Sequence, residues 1–205
     1  MERGRGSLKD CSFDCNYKSG CGITRINVVP IGGDGSGQIN IMFVGRDPGN
    51  NENIQKVPFV GDAGKFIRMT INAVFGENGE DKVFITNLVK CHTENNIGPN
   101  ELDVKHCAGN LRREIARVRP AVVVALGETV SSYFIGRFLP TPIKMKSIVG
   151  KRYIVKYSIN KVDEWKMIIL PCYHPSPRNI QYYSQIRDVV KDAKRISEIS
   201  QVTRI

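Results

Sequence analysis

Residues 100–138, NELDVKHCAGNLRREIARVRPAVVVALGETVSSYFIGRF, decide the fold. The first half keeps Leu102, Ala108, Leu111, Ile115 and Val118 at helical spacing behind Asn100, whose short amide side chain can cap a helix over 101–118. Pro120 stops that helix, because proline has no N–H to donate and its ring clashes with the preceding turn. Residues 121–126 (AVVVAL) are apolar at every position, the pattern of a strand covered on both faces. Gly127 follows, and a second helix is predicted over 128–138. Helix, fully buried strand and helix in succession predict parallel strands joined by crossover helices.

The flanking segments extend the alternation. Residues 39–44 (INIMFV) form a short apolar run between the Gly-rich turn GGDGSG and the loop GRDPG, and read as a buried strand. Phe66, Ile67, Ile71, Val74 and Phe75 mark a helix over 63–75 that Gly76 ends. Residues 83–89 (VFITNLV) form another strand with Asn87 near its end. Residues 153–157 and 166–170 are further strands, the first suited to an edge or hairpin because its alternation is polar. Residues 185–199 form a basic amphipathic helix. In such folds sites form beyond the carboxyl ends of the strands, where this sequence puts GRDPG, Asn87, Gly127–Glu128 and HPSPRN.

At 205 residues and 41% hydrophobic, the chain can bury a core but is short for two ordinary domains, so one domain over 1–205 is expected. Within it, 1–25 is expected to be a cysteine-bearing N-terminal segment packed on the domain, and 200–205 a tail. Lys and Arg number 30 against 20 Asp and Glu, and the net charge of +10 favours an anionic partner such as nucleic acid or an anionic membrane, although solubility alone also accounts for a basic surface. No apolar run approaches a membrane span, and MERGRGSLKD lacks the apolar region of a secretory signal. A cytoplasmic protein is therefore expected. In a reducing compartment six cysteines point to metal before disulfides. Cys11, Cys15 and Cys21 lie close together, Cys91 and Cys107 are separated by fifteen residues, and Cys172 reads as a small buried hydrophobe in an apolar run.

Taken singly, the polar residues at the strand ends have plain explanations. Asp47 sits in a Gly- and Pro-rich turn that can hold a carboxylate rigidly for catalysis, or simply have its amides satisfied by it. His174 suits a cap as well as a catalyst, and Ser176 with the following amides offers a weak phosphate signal.

Order and spacing are more specific. GRDPGNNENIQKVPFVGDAG, TNLVKC, the Cys91 to Cys107 gap, ALGET and YHPSPRN together resemble the uracil-DNA glycosylase superfamily, most closely its iron–sulfur family four, across residues 21–179. The resemblance implies a three-layer α/β/α fold with a central, mostly parallel four-stranded sheet, and hydrolysis of the N-glycosidic bond of uracil in DNA. It implies that Asp47 positions water and balances the developing sugar cation, and that His174 donates to uracil O2 as negative charge grows there. Glu52 corresponds to the residue crowding pyrimidine C5, Phe59 to the aromatic stacking on the flipped base, and Asn87 to the amide reading its edge. One amide offers both the donor and the acceptor that reading needs. Arg46 stands where the nearest relatives usually carry Glu, and Asp47 falls one place later, as in family-one enzymes. Ser176, Pro177 and Arg178 are implied DNA contacts, with Pro177 and Arg178 probing or wedging the opened groove or Arg178 holding phosphate.

Cys91 and Cys107 match two ligands of a [4Fe-4S] cluster, with Cys21 and Cys15 completing it and Cys11 as the alternative to Cys15. Four cysteines would also accept zinc, and only the resemblance selects the cluster. The expected substrate is uracil-containing DNA and the expected state a monomer with no membrane partner. Two rivals remain: a glycosylase for another deaminated base such as hypoxanthine, and a module that binds uracil or damaged DNA without turnover.

Overall fold

The computed structural model describes residues 40–93, 97–136, 139, 143–158 and 164–202. The predicted start of the first strand, the turn GGDGSG, the cysteines at 11, 15 and 21, and the final three residues lie outside them. Five strands form one sheet in the order β2-β1-β3-β5-β4. They are β1 (Ile41–Gly45), β2 (Phe84–Asn87), β3 (Val122–Leu126), β4 (Tyr153–Ser158) and β5 (Glu164–Cys172). The first three and β5 run parallel, while β4 pairs antiparallel with β5 from Tyr153↔Ile169 to Ser158↔Glu164.

The sheet therefore has one strand more than the four the resemblance implies. The addition is β4, an edge strand whose Val155 is buried while its neighbour Ile154 is 68% exposed, consistent with its polar alternation. Strands β1, β2 and β3 are buried at every residue, β2 included although it forms the other edge. Their alternate side chains feed two cores. Ile41, Phe43, Val122 and Val124 pack with Ile67 and Ile71 of α2 (Asp62–Phe75) and with Ile186, Val190 and Ala193 of α6 (Tyr183–Val202). Met42, Val44, Val123 and Ala125 pack with Leu111 and Ile115 of α3 (Glu101–Val118) and with Val130 and Phe134 of α4 (Glu128–Ile135).

Helix α3 has the boundaries the sequence predicts. Asn100 Oδ1 accepts from Asp103 N at 3.0 Å, and Asp103 Oδ2 accepts from Asn100 N at 2.8 Å, a reciprocal capping box. Two short helices were not apparent from periodicity, α1 (Asn50–Gln55) and α5 (Met145–Ile148). The winding leaves β1 for β2 on one side and for β3 on the other, so loops diverge at the carboxyl end of β1 and open a crevice there. Among the described residues no helix is long and apolar enough to cross a membrane.

Candidate active site

A cavity of about 360 Å³ occupies that crevice, a volume suited to one small ligand group. Asp47, Glu52, Phe59, Asn87 and His174 all line it, although they come from four separate stretches of chain. Arg46 lines it too.

The turn after β1 holds Asp47 from both sides. Arg46 Nε donates to Asp47 Oδ1 at 2.5 Å, and Thr93 Oγ1 donates to Oδ2 at 3.2 Å. Thr93 Oγ1 in turn accepts from Gly98 N at 3.0 Å, while the buried His92 places Nδ1 2.9 Å from Pro48 O. Both carboxylate oxygens are thus oriented, and the Asp47 side chain is only 6% exposed. Neither Thr93 nor His92 carries a motif signal, since each acts on the turn from more than forty positions away.

Glu52 lies in α1 and is buried, with Oε1 accepting from Val60 N at 2.8 Å and Gly61 N at 2.7 Å. Those two amides stand at the entrance to α2, so the carboxylate ties α1 to the loop carrying Phe59. Phe59 itself has φ +58°, a left-handed conformation uncommon for an aromatic residue. Its carbonyl accepts from Arg68 Nε at 2.7 Å, and Pro58 O accepts from Arg68 Nη2 at 2.7 Å. Arg68 also pairs with Glu80. A Cβ on Gly64 would fall 2.0 Å from the Phe59 carbonyl carbon, so only glycine lets the first turn of α2 lie so close. This support explains how the surroundings sustain the unusual backbone.

Asn87 ends β2, where its backbone is held by a buried ammonium. Lys90 Nζ donates to Asn87 O at 2.5 Å, to Thr86 Oγ1 at 2.7 Å and to Glu114 Oε2 at 2.6 Å. Lys90 is 3% exposed, and its three partners match the three protons of its head group.

His174 follows β5. Its backbone oxygen accepts from Asn179 Nδ2 at 2.8 Å, and the adjacent Tyr173 stacks on Tyr182 with ring centroids 3.8 Å apart. Gly127, at φ +92°, lies against the His174 side chain, where a Cβ would stand at 3.4 Å. Burial lowers the pKa of His174 below 6.5, the charge of Arg46 lowers it further, and Asp47 opposes both. The imidazole is therefore neutral at physiological pH and able to donate one ring N–H.

Ser176, Pro177 and Arg178 do not line the cavity. Ser176 precedes a 3-10 turn spanning Pro177–Tyr182, and both Pro177 and Arg178 are exposed. They occupy the loop that leaves His174, outside the pocket.

Of the expected metal ligands, Cys91 and Cys107 are described and partly buried, whereas Cys11, Cys15 and Cys21 lie outside the described residues. Cys107 Sγ accepts from Lys90 N at 3.2 Å and from Asn110 Nδ2 at 3.6 Å. Two N–H donors aimed at one sulfur suit a metal-bound thiolate, so this donor set fits a cluster ligand. Among the described residues no three His, Cys, Asp or Glu side chains are grouped to hold a metal. Cys172 is fully buried, and burial pushes its thiol pKa far up, as expected of an inert core residue.

A model of the uracil DNA glycosylase superfamily matches residues 33–195. The type-4 uracil-DNA glycosylase of Saccharolobus solfataricus is 40% identical over 175 residues, covering 85% of this chain and 76% of that protein. The type-4 enzyme of Sulfurisphaera tokodaii is 36% identical over 86% of this chain and 76% of its own length. That of Archaeoglobus fulgidus is 33% identical over 86% of this chain and 83% of its own.

Proposed function

The chain belongs to the uracil-DNA glycosylase superfamily, and from that membership we propose that it is a DNA-repair glycosylase that hydrolyses the N-glycosidic bond of uracil in DNA. The observation that carries the assignment of roles is the convergence of Asp47, Glu52, Phe59, Asn87 and His174 on one cavity. We read the two cores flanking the sheet as the two faces of a three-layer α/β/α arrangement over a single domain.

A base within a duplex is out of reach, so the nucleotide must be extruded at a cost of a few kcal/mol, offset by contacts in the pocket. Phe59 stacks on the extruded ring, and Asn87 pairs with uracil O4 and N3–H. Glu52, fixed by the amides of Val60 and Gly61, obstructs C5 and so excludes thymine's methyl group. As the C1′–N1 bond breaks, its electron pair leaves with uracil, and the neutral His174 donates to O2 where that charge collects. Asp47 faces the cationic sugar and orients the water that adds to C1′, taking up its proton. Ser176, Pro177 and Arg178 contact the flanking strand.

For the cofactor, the reading is a [4Fe-4S] cluster held by Cys91, Cys107 and Cys21 with Cys15, or Cys11 in its place. When bound it supplies folding energy, and the hydrolysis transfers no electron. The test uses labelled single strands and duplexes carrying uracil, hypoxanthine or mismatched thymine, followed by alkali. Strand breaks confined to uracil support the reading. Breaks chiefly at hypoxanthine would transfer the assignment to that base, and binding without breaks would make the protein a recognition module.

A further inference from the structure

We propose that Arg46 is a phosphate clamp within the active site, gripping a phosphodiester that flanks the extruded nucleotide. The inference rests on the uracil-excision reading and adds to it the element that ties the pocket to the DNA backbone.

Three observations carry it. Arg46 lines the same cavity as Asp47, Asn87 and His174, and its side chain keeps 41% of its surface exposed. Its orientation is fixed on two sides. Nε donates to Asp47 Oδ1 at 2.5 Å, and the backbone of Gly98, at φ +88°, closes on the guanidinium. A Cβ at Gly98 would lie 2.8 Å from Cζ and Nη1 and 2.9 Å from Nη2, so the loop leaves room for the planar group and nothing larger. Among the described residues the side-chain hydrogen bond of Arg46 is made by Nε, and none is made by Nη1 or Nη2.

An arginine with one edge pinned and no described residue hydrogen-bonded to its terminal nitrogens is suited to an anion, because its fork matches two oxygens of a carboxylate or phosphate. The substrate supplies one kind of anion only. Uracil and deoxyribose are neutral, whereas the phosphates lie on the 3′ and 5′ carbons of the sugar whose C1′ faces Asp47. A guanidinium bonded to that carboxylate is therefore within a few bond lengths of a flanking phosphate. Such a contact also draws part of the cation's charge away from Asp47 when DNA is bound, leaving the carboxylate freer to face the sugar cation.

The experiment uses single-stranded oligonucleotides with one uracil, in which each flanking phosphate is replaced in turn by an uncharged methylphosphonate. For wild type, KM is expected to rise about tenfold at one of the two positions, the loss of one charge-assisted contact. Arg46→Gln should show a comparable rise on the unmodified strand and be nearly indifferent to the neutral linkage at that same position. Its slope of log KM against log salt should be shallower by about 0.7, one phosphate contact on a single strand. Arg46→Lys keeps the charge and should retain the salt slope. If Arg46→Gln turns over too slowly, Kd for strands carrying 2′-fluoro-2′-deoxyuridine gives the same comparison. A variant as sensitive as wild type at both positions, with an unchanged salt slope, overturns the clamp and leaves Arg46 serving Asp47 alone. Wild type failing to excise uracil from the unmodified strand overturns instead the functional reading beneath it.

Discussion

Gly45 and Asn87 stand opposite one another in the parallel register of β1 and β2, and a Cβ on Gly45 would fall 2.4 Å from Asn87 Oδ1. The same Cβ would fall 2.4 Å from Phe59 Cζ. The bare backbone at Gly45 is what lets the Asn87 amide and the Phe59 ring both close on it beside the cavity. Gly45→Ala should displace both. A shift near 1 Å in a reacting geometry costs on the order of 10²-fold, and overpacking costs ~1–3 kcal/mol of stability. Single-turnover excision and urea denaturation measure the two effects, and near-wild-type excision would show that Asn87 and Phe59 need not close on Gly45.

Glu52 has two tasks that substitution can separate. Its Oε1 satisfies the amides of Val60 and Gly61, and its bulk is proposed to guard C5. Glu52→Gln keeps an acceptor oxygen and the bulk, so it should retain uracil selectivity. Glu52→Ala leaves two amides without their acceptor, costing about 1–3 kcal/mol for each one that water does not reach, and should admit measurable excision of thymine opposite guanine. Cavity shape alone discriminates a methyl-sized change by only ~1–3 kcal/mol, which is why a fixed obstruction is needed. Thymine release from G·T duplexes by Glu52→Ala, compared with Glu52→Gln, checks this, and its absence from both would assign the C5 guard to another residue.

His174 gives the site a predictable pH dependence. Burial first, and then the charge of Arg46, lower its folded-state pKa below the ordinary 6.5. Between that lowered value and 6.5 the unfolded chain binds the proton more readily than the folded one. The resulting stability is present above pH 6.5 and is lost as the pH falls from 6.5 through the folded pKa. An NMR titration of the imidazole should have its midpoint below 6.5, and Arg46→Gln should move it upward by removing the opposing cation. A wild-type midpoint at or above 6.5 would contradict the neutral donor role.

Much of this was legible in the sequence, for identifiable reasons. The run of apolar residues at 121–126 signals a strand covered on both faces, and β3 (Val122–Leu126) is buried throughout. Asn100 and Pro120 bracket α3 because capping and proline chemistry are local. Helix α1 was hidden because NNENIQ contains one apolar residue, Ile54, which is 67% exposed, while the residue it buries is Glu52. The five cavity residues were marked by motifs. Their supports were given no role there, although Gly64 and Lys90 lie inside the quoted motifs, since Arg68, Lys90, Gly64 and Thr93 act through contacts that only the folded chain creates. The segment forming β4 was readable as an edge strand, and the four-strand expectation came from the family resemblance.

Cys107 offers a test independent of catalysis. Its sulfur receives N–H donors from Lys90 and Asn110, the setting of a ligating thiolate. Protein prepared without oxygen should be brown and contain iron and sulfide. Cys107→Ser or Cys91→Ser should bleach it and lower the folded yield, because metal-binding energy is also folding energy. Comparing Cys11→Ser with Cys15→Ser identifies the remaining ligand. Stoichiometric zinc without iron would replace the cluster with a zinc site.

The central claim is that the cavity containing Asp47 and His174 is where uracil is cut from DNA, and single-turnover excision by Asp47→Asn tests it most directly. Asparagine keeps the size of the side chain and removes its charge, so ground-state contact with DNA is largely kept while the sugar cation loses its counter-charge. The account predicts binding to a uracil-containing strand close to wild type with the excision rate reduced by ~10²-fold or more, the scale of a lost electrostatic contact to a transition state. Excision at the wild-type rate would contradict it and move the chemistry to another acid.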